Sequence, residues 1–165
     1  MKVKSVDHFL VNPGWGKNLL FVKVTTDNGL VGWGECYTQS DRDKTIVVHI
    51  DHLSTYLIGR DPFEIKYFNQ IVFDDYSSRR GSMEIYSALS GIEQALWDIC
   101  GKATNQPVNK LLGGPCRGKL RVYANGWYAG STKPEDYAEK AKLTIEKGFT
   151  ALKFDPIPGP FRSAI

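Results

Sequence analysis

Along the first third of the chain, apolar and polar residues alternate. The run VKSVDHFLV at 3–11 alternates loosely, and NLLFVKVTTDNGLVGWGE at 18–35 supplies two further β-rich runs. Between these, Asp27-Asn28-Gly29 is a strong hairpin signal, because a tight turn needs residues that tolerate positive φ. The pattern predicts a three-stranded meander. After Ser40 the period lengthens: Ile46, Ile50, Leu53 and Leu57 recur at helical spacing, Ser40 and Asp43 have capping-box spacing, and Gly59 can stop the helix. A second helix is predicted over 63–73. The third has the clearest pattern, with Ser82 as cap, Glu84 in the first turn, and one apolar face of Ile85, Leu89, Ile92, Leu96 and Ile99. Strands followed by helices imply an α+β layout.

The turn-rich run LLGGPCRGK at 111–119 breaks this grammar. Beyond it come a predicted strand LRVYANGW, a helix opening at Thr132 with Glu135 three residues on, a stop at Gly148, and a strand ALKF. That is one β-α-β unit, the repeating element of parallel sheets and α/β barrels. One such unit cannot bury both faces of a parallel sheet. The expected organisation is an α+β domain over 1–118, followed over 119–165 by the first β-α-β unit of an incomplete TIM-type α/β barrel.

Composition narrows the class. The 165 residues are 42% hydrophobic and 24% charged, as in a soluble globular protein. The net charge of +3 is interspersed, with no basic block or aromatic-studded stripe, so neither nucleic acid nor a membrane is expected as partner. Cys36, Cys100 and Cys116 are widely and irregularly spaced, which suits free thiols in a reducing cytoplasm. The N-terminus lacks the apolar core of a signal peptide, and the expected location is cytoplasmic.

Candidate chemistry concentrates near the end of the second predicted strand. Lys153 and Asp155 are two residues apart and so share one face of a strand, just before a Pro156, Pro158, Gly159, Pro160 break. Chemistry in α/β barrels sits at the C-terminal strand ends, where Asn125, Trp127 and Tyr128 fall on the first strand. A purely structural ion pair fits Lys153 and Asp155 equally well. Arg79 and Arg80, in SSRRG before the third helix, could grip a carboxylate or form a solvated loop. Glu35 could face a ligand or form a strand-end salt bridge. His8, His49 and His52 show no metal-ligand pattern and suit surface or helix-packing roles. The two GWG triplets lack phosphate-loop context and are read as turn and close-packing glycines.

Taken in order, GLVGWGE, then SALSGIEQALWDICGKATNQPVNKLLGG, then VYANGWY and GFTALKFDP resemble the mandelate racemase and muconate lactonizing branch of the enolase superfamily. The resemblance covers essentially the whole chain. Within the branch it is most similar to the gluconate and galactonate dehydratases of archaeal type. It implies an N-terminal capping domain, a barrel, and a magnesium-dependent enzyme that removes the proton next to a sugar-acid carboxylate and expels a β-hydroxyl. The product would be a 2-keto-3-deoxy sugar acid.

The resemblance also implies residue roles. Lys153 matches the lysine of the family's second-strand motif and would supply positive charge to the substrate, polarising its carboxylate or joining in proton transfer. The racemase pattern is Lys-x-Lys, and Asp155 stands in place of its second lysine. An aspartate beside a lysine is a much weaker base than a lysine of depressed pKa, which favours a dehydratase with its base elsewhere. Substrate choice would lie with loops 13–18 and 76–83, where Trp15 offers an aromatic face and Arg79 and Arg80 offer guanidinium forks. The metal-binding carboxylates would come from later barrel strands, beyond Ile165, so the chain is expected to be a fragment or a truncated relic. At full length a homo-oligomer is expected. The alternatives are a racemase or cycloisomerase of the same superfamily, and an inactive capping or oligomerisation module.

Overall fold

The computed structural model describes residues 1–14, 16–38 and 42–155. They fall into two compact units, Met1–Pro115 and Cys116–Ile165. Trp15, Ser40 and the run from Pro156 onward, including the expected proline break, lie outside the described residues.

In the first unit, strands β1 (Val3–Val11), β2 (Leu19–Thr26) and β3 (Val31–Cys36) form an antiparallel sheet in the order β1-β2-β3. Alternation decides its faces: Leu20, Val22 and Val24 are fully buried, whereas Leu19, Phe21 and Lys23 are only half-buried. The turn after β2 closes through Gly29 at φ 87°, as the Asp-Asn-Gly signal requires.

Helices cover the inner face. Helix α1 (Asp43–Ser54) contributes Ile46, Ile50 and Leu53, and α2 (Ile65–Ile71) contributes Ile65 and Phe68. The long helix α3 (Met83–Thr104) buries Leu89, Ile92, Leu96 and Ile99, and its Ser82 cap accepts a hydrogen bond from the Ile85 amide. Each fully buried aliphatic side chain contributes about 1.5–3 kcal/mol. α3 lies very close to β3 because Gly32 and Gly34 have no side chain. A Cβ on either would sit 2.0 Å from the Ala95 or the Gly91 carbonyl oxygen. The second GWG triplet is thus a packing device, while Gly14 and Gly16, at φ 87° and 65°, serve a turn.

α1 begins at Asp43, preceded by Arg42 without a side-chain cap, and the Asp43 carboxylate accepts a hydrogen bond from Asn18; the expected box with Ser40 falls outside the described residues. The expectation for the other helix start is corrected. In the second unit α5 (Pro134–Glu146) opens after Lys133 rather than at Thr132, and Asp136 rather than Glu135 reaches back to the Thr132 and Lys133 amides. Proline fits the first helical position, which places Asp136 third and in reach of the orphan amides. Between these helices lies α4 (Val108–Leu111), a single short turn.

The two expected strands of the second unit are also corrected. LRVYANGW and ALKF meet through one parallel bridge, Ala124 opposite Leu152, with Ala124 N–H donating to Ala151 O and Lys153 N–H to Ala124 O, each at 2.9 Å. The order β-α-β and the parallel sense hold, but a ladder does not extend along the segments. Parallel pairing is the weaker kind per residue and gains most from cover on both faces.

Candidate functional site

Four of the residues singled out at the strand ends come together. Lys153 Nζ lies 2.9 Å from Asp155 Oδ2, and the same oxygen accepts from the Tyr128 hydroxyl at 3.2 Å. Trp127 Nε1 donates to the Lys153 carbonyl at 2.9 Å, tying the first segment to the second. Asn125 does not join them: its side-chain oxygen accepts from the Gly126 amide at 3.0 Å and is spent on the turn, where Gly126 has φ 72°.

Mutual charge sets the chemistry of this pair. Its hydrogen bond to Lys153 and the ammonium charge hold Asp155 below the usual carboxylate range, and the same contact holds Lys153 above the usual ammonium range. Both are ionised at neutral pH. Asp155 is therefore a poor proton acceptor, while Lys153 is a permanent cation. Each is solvent-exposed, so the pair adds little to stability.

Aromatic rings surround it. Trp127 packs on Tyr128 and Phe154 at 5.5 and 5.6 Å between centroids, and Tyr137 of α5 stacks with Tyr128 at 6.1 Å. Tyr137 and Phe154 are absent from the sequence-derived set. The signal for Phe154 was its place between Lys153 and Asp155, and for Tyr137 an aromatic near the start of the intervening helix.

In the first unit a second group of residues gathers at one end of the sheet. Lys17 Nζ donates to Thr38 O at 3.0 Å and sits 3.9 Å from the centre of the Tyr37 ring, while Thr38 Oγ1 donates to Asn18 O. Ser87 Oγ donates to Tyr37 O at 2.6 Å, and Arg42 pairs with Glu84 at 2.7 Å. Lys17 and Asn18 are thereby clasped to the segment after β3, which no local pattern singles out. Arg79 and Arg80 are exposed on the loop before α3, Arg79 with its Nε 3.4 Å from Asp74 Oδ1. Trp15 is outside the described residues. Glu35 is exposed and His8 lies 3.2 Å from Asp51.

Among the described residues, no three His, Cys, Asp or Glu side chains converge to hold a metal ion. The described side chains do not make up a magnesium site. Cys36 and Cys100 are buried free thiols, pushed up to about 12 and about 11, and Cys116 is an exposed one. Among the described residues no helix is long and apolar enough to cross a membrane.

Known proteins resemble this chain in sequence and fold. Residues 15–113 match the family described as mandelate racemase / muconate lactonizing enzyme, N-terminal domain. The D-gluconate/D-galactonate dehydratase of Picrophilus torridus is 40% identical over 172 residues, covering 96% of this chain and 42% of that protein. The D-gluconate dehydratase of Thermoproteus tenax is 38% identical over 151 residues, covering 90% of this chain and 30% of that protein. The crystal structure of a mandelate racemase/muconate lactonizing enzyme from Jannaschia sp. CCS1 superposes with a TM-score of 0.86 at 34% identity, over 98% of this chain and 45% of that one. The chain thus spans less than half the length of these relatives. Its three-stranded sheet with helices on one face is the N-terminal domain of those proteins, and the chain belongs to the mandelate racemase / muconate lactonizing enzyme family.

Proposed function

We propose that the protein is a sugar-acid dehydratase acting on D-gluconate or D-galactonate. In this reading the C2 proton leaves to a base, the bond from C3 to its hydroxyl breaks, and a double bond forms between C2 and C3. The resulting enol becomes a 2-keto-3-deoxy acid and one water is released. The observation that carries the reading within the family is the Lys153 and Asp155 pair. A carboxylate held low by a lysine cannot take a weakly acidic carbon-bound proton efficiently, which disfavours a two-base racemase built on this segment. The printed activities of the two curated relatives supply the substrate class.

In this proposal Lys153 faces the substrate carboxylate as a fixed cation, and Asp155, itself bonded by the Tyr128 hydroxyl, holds its ammonium in place. Developing negative charge next to a carboxylate needs such a field as it forms. Trp127 and Tyr128 offer apolar ring surface to the sugar carbons. The proposal includes a magnesium requirement for the whole protein, but none of the described residues is assigned to hold the ion.

The test is product formation by the protein expressed from its complete gene, given each acid separately with and without magnesium. The expected result is a 2-keto acid that traps with semicarbazide, from at least one acid and only with the metal. An epimerised acid, with no keto product, would overturn the proposal in favour of the racemase reading.

A further inference from the structure

Among the described residues β3 is an edge strand of the sheet. Alternate residues of an antiparallel strand turn both N–H and C=O to the same side, so Val31, Trp33 and Glu35 direct theirs away from β2. Such a row of backbone groups is a template for pairing with a further strand. Side chains of α3 take four of these groups. The Asp98 carboxylate accepts from the Trp33 amide at 2.9 Å, and Lys102 Nζ donates to the Val31 carbonyl at 2.7 Å. The Gln94 side-chain oxygen accepts from the Glu35 amide and its nitrogen donates to the Glu35 carbonyl, both at 3.1 Å.

Spacing explains the fit. Gln94, Asp98 and Lys102 recur every four residues of α3, a rise of about 6 Å, and Glu35, Trp33 and Val31 recur every two residues of β3, a span of about 6.8 Å. Helix and strand run in opposite senses, so each side chain in turn meets the next outward residue. The absence of side chains at Gly32 and Gly34 brings the helix within reach. Each group is matched in kind: a carboxylate to an amide, an ammonium to a carbonyl, and a carboxamide to one of each, as a neighbouring peptide would be. Lys102 also pairs with Asp98 at 2.7 Å, and Gln94 Nε2 donates to Ser90 Oγ at 3.1 Å, which fixes their orientation. Gln94 and Lys102 are exposed, so water would satisfy the same backbone groups. What the three side chains add is occupation of the edge.

We infer that Gln94, Asp98 and Lys102 form a side-chain seal that takes the place of a further strand and closes the β3 edge to pairing with β3 of a second copy of this chain. Val31–Cys36 is built for such pairing once uncovered. Two copies set antiparallel about Trp33 would place Val31 opposite Glu35 and the two Trp33 rings side by side, and aromatic cross-strand pairs are stabilising. Trp33 is exposed and packs on Phe9 of β1 at 5.6 Å, so apolar surface already borders the edge. Free edge groups beside exposed apolar surface are what strand-to-strand association requires. The inference stands on this geometry alone and is independent of the substrate.

Amide exchange resolved to single residues, on the protein expressed from its complete gene, reads the seal directly, with the Val24 amide of the middle strand as internal reference. Asp98→Ala is expected to raise exchange at Trp33 about tenfold and Gln94→Ala at Glu35 about fivefold, since a hydrogen bond to a charged group is the stronger of the two. Asp98→Asn, which keeps an oxygen acceptor, should retain most of the protection at Trp33. Unchanged exchange at both amides relative to Val24 would overturn the seal. The double variant Gln94→Ala/Asp98→Ala should then associate. Its sedimentation coefficient is expected to rise over a concentration range that leaves the parent's unchanged, while the Trp33 and Glu35 amides regain protection. Opened amides without association, or association that leaves them open, would overturn closure against a second copy. Should the double variant fail to fold, Gln94→Ala decides by the same two readings, because it places a strong helix former at an exposed helical position.

Discussion

The two units of the chain use their apolar residues in opposite ways. In Met1–Pro115, the apolar residues placed by the alternation of β2 and by the helical period mostly face inward, with Leu20, Val22, Ile92, Leu96 and Ile99 fully buried, while Phe9, Leu10 and Val11 of β1 stay exposed. In the described part of Cys116–Ile165, Leu120, Val122, Leu143 and Ile145 remain 77, 64, 50 and 57% exposed, and Ala124 is the single buried hydrophobic. The difference teaches that the same local grammar of strand, capped helix and glycine stop yields a core only where a second layer receives it. The first unit carries its own second layer in α1, α2 and α3. Chemistry follows the opposite gradient: the clearest constellation of charge and aromatic rings, Lys153 with Asp155, Trp127 and Tyr128, lies in the unit with the smaller core.

The comparison breaks most directly on core substitutions. Gly34→Ala should cost about 3 kcal/mol or more, because its methyl would enter the Gly91 carbonyl and α3 would have to leave the sheet. Leu96→Ala should cost about 2–5 kcal/mol. Leu143→Ala, half exposed on α5, should fall within about 0.5 kcal/mol of the parent. Urea unfolding of the chain measures all three, and an equal cost at Leu96 and Leu143 would mean that the second unit has a core of its own.

A smaller effect compares the two units at their helix starts. Asp136 is held below the usual carboxylate range by the Thr132 and Lys133 amides. Its contribution to α5 is therefore present above the unfolded-state pKa and lost as pH falls through the folded-state value. Amide exchange in α5 should rise over that acid window, and the α3 start should respond in the same direction, because Glu84 in its first turn is likewise held below the usual carboxylate range by backbone and Ser82 hydrogen bonds. Amide exchange in α5 that does not change across the window would contradict this.

The smallest expected effect is at the candidate site. Asp155→Asn should leave unfolding nearly unchanged, since the pair is exposed. It should bring the Lys153 pKa down toward the ordinary lysine value, because the hydrogen bond and charge of Asp155 raise it. The contribution of Lys153 itself is present below its unfolded-state pKa and lost as pH rises through the folded one. NMR titration of the Lys153 ammonium checks the shift, and an unmoved value would show that the two groups do not interact in solution.

Much of the first unit was legible in the sequence because its determinants are local. The alternation of Leu20, Val22 and Val24, the Asp27-Asn28-Gly29 turn and the Ser82 cap each act within a few residues. What was not legible depends on distant partners. Lys17 finds Thr38 and Tyr37 across some twenty residues, and Tyr76 finds His49 across a whole helix and turn, with no periodicity to announce either. The left-handed Ser78 and Arg79 were hidden because neither residue type favours that backbone by itself. At the site, the shared face of Lys153 and Asp155 followed from strand geometry, whereas the turning away of Asn125 depended on the local needs of Gly126.

The central claim is that the protein dehydrates a sugar acid, and its most direct test is the reaction of D-gluconate and D-galactonate in D2O with magnesium and the protein expressed from its complete gene. The account predicts a 2-keto-3-deoxy acid carrying solvent deuterium at C3, formed as the C2 proton is lost. Deuterium appearing at C2 of recovered acid, with no keto product, would contradict it.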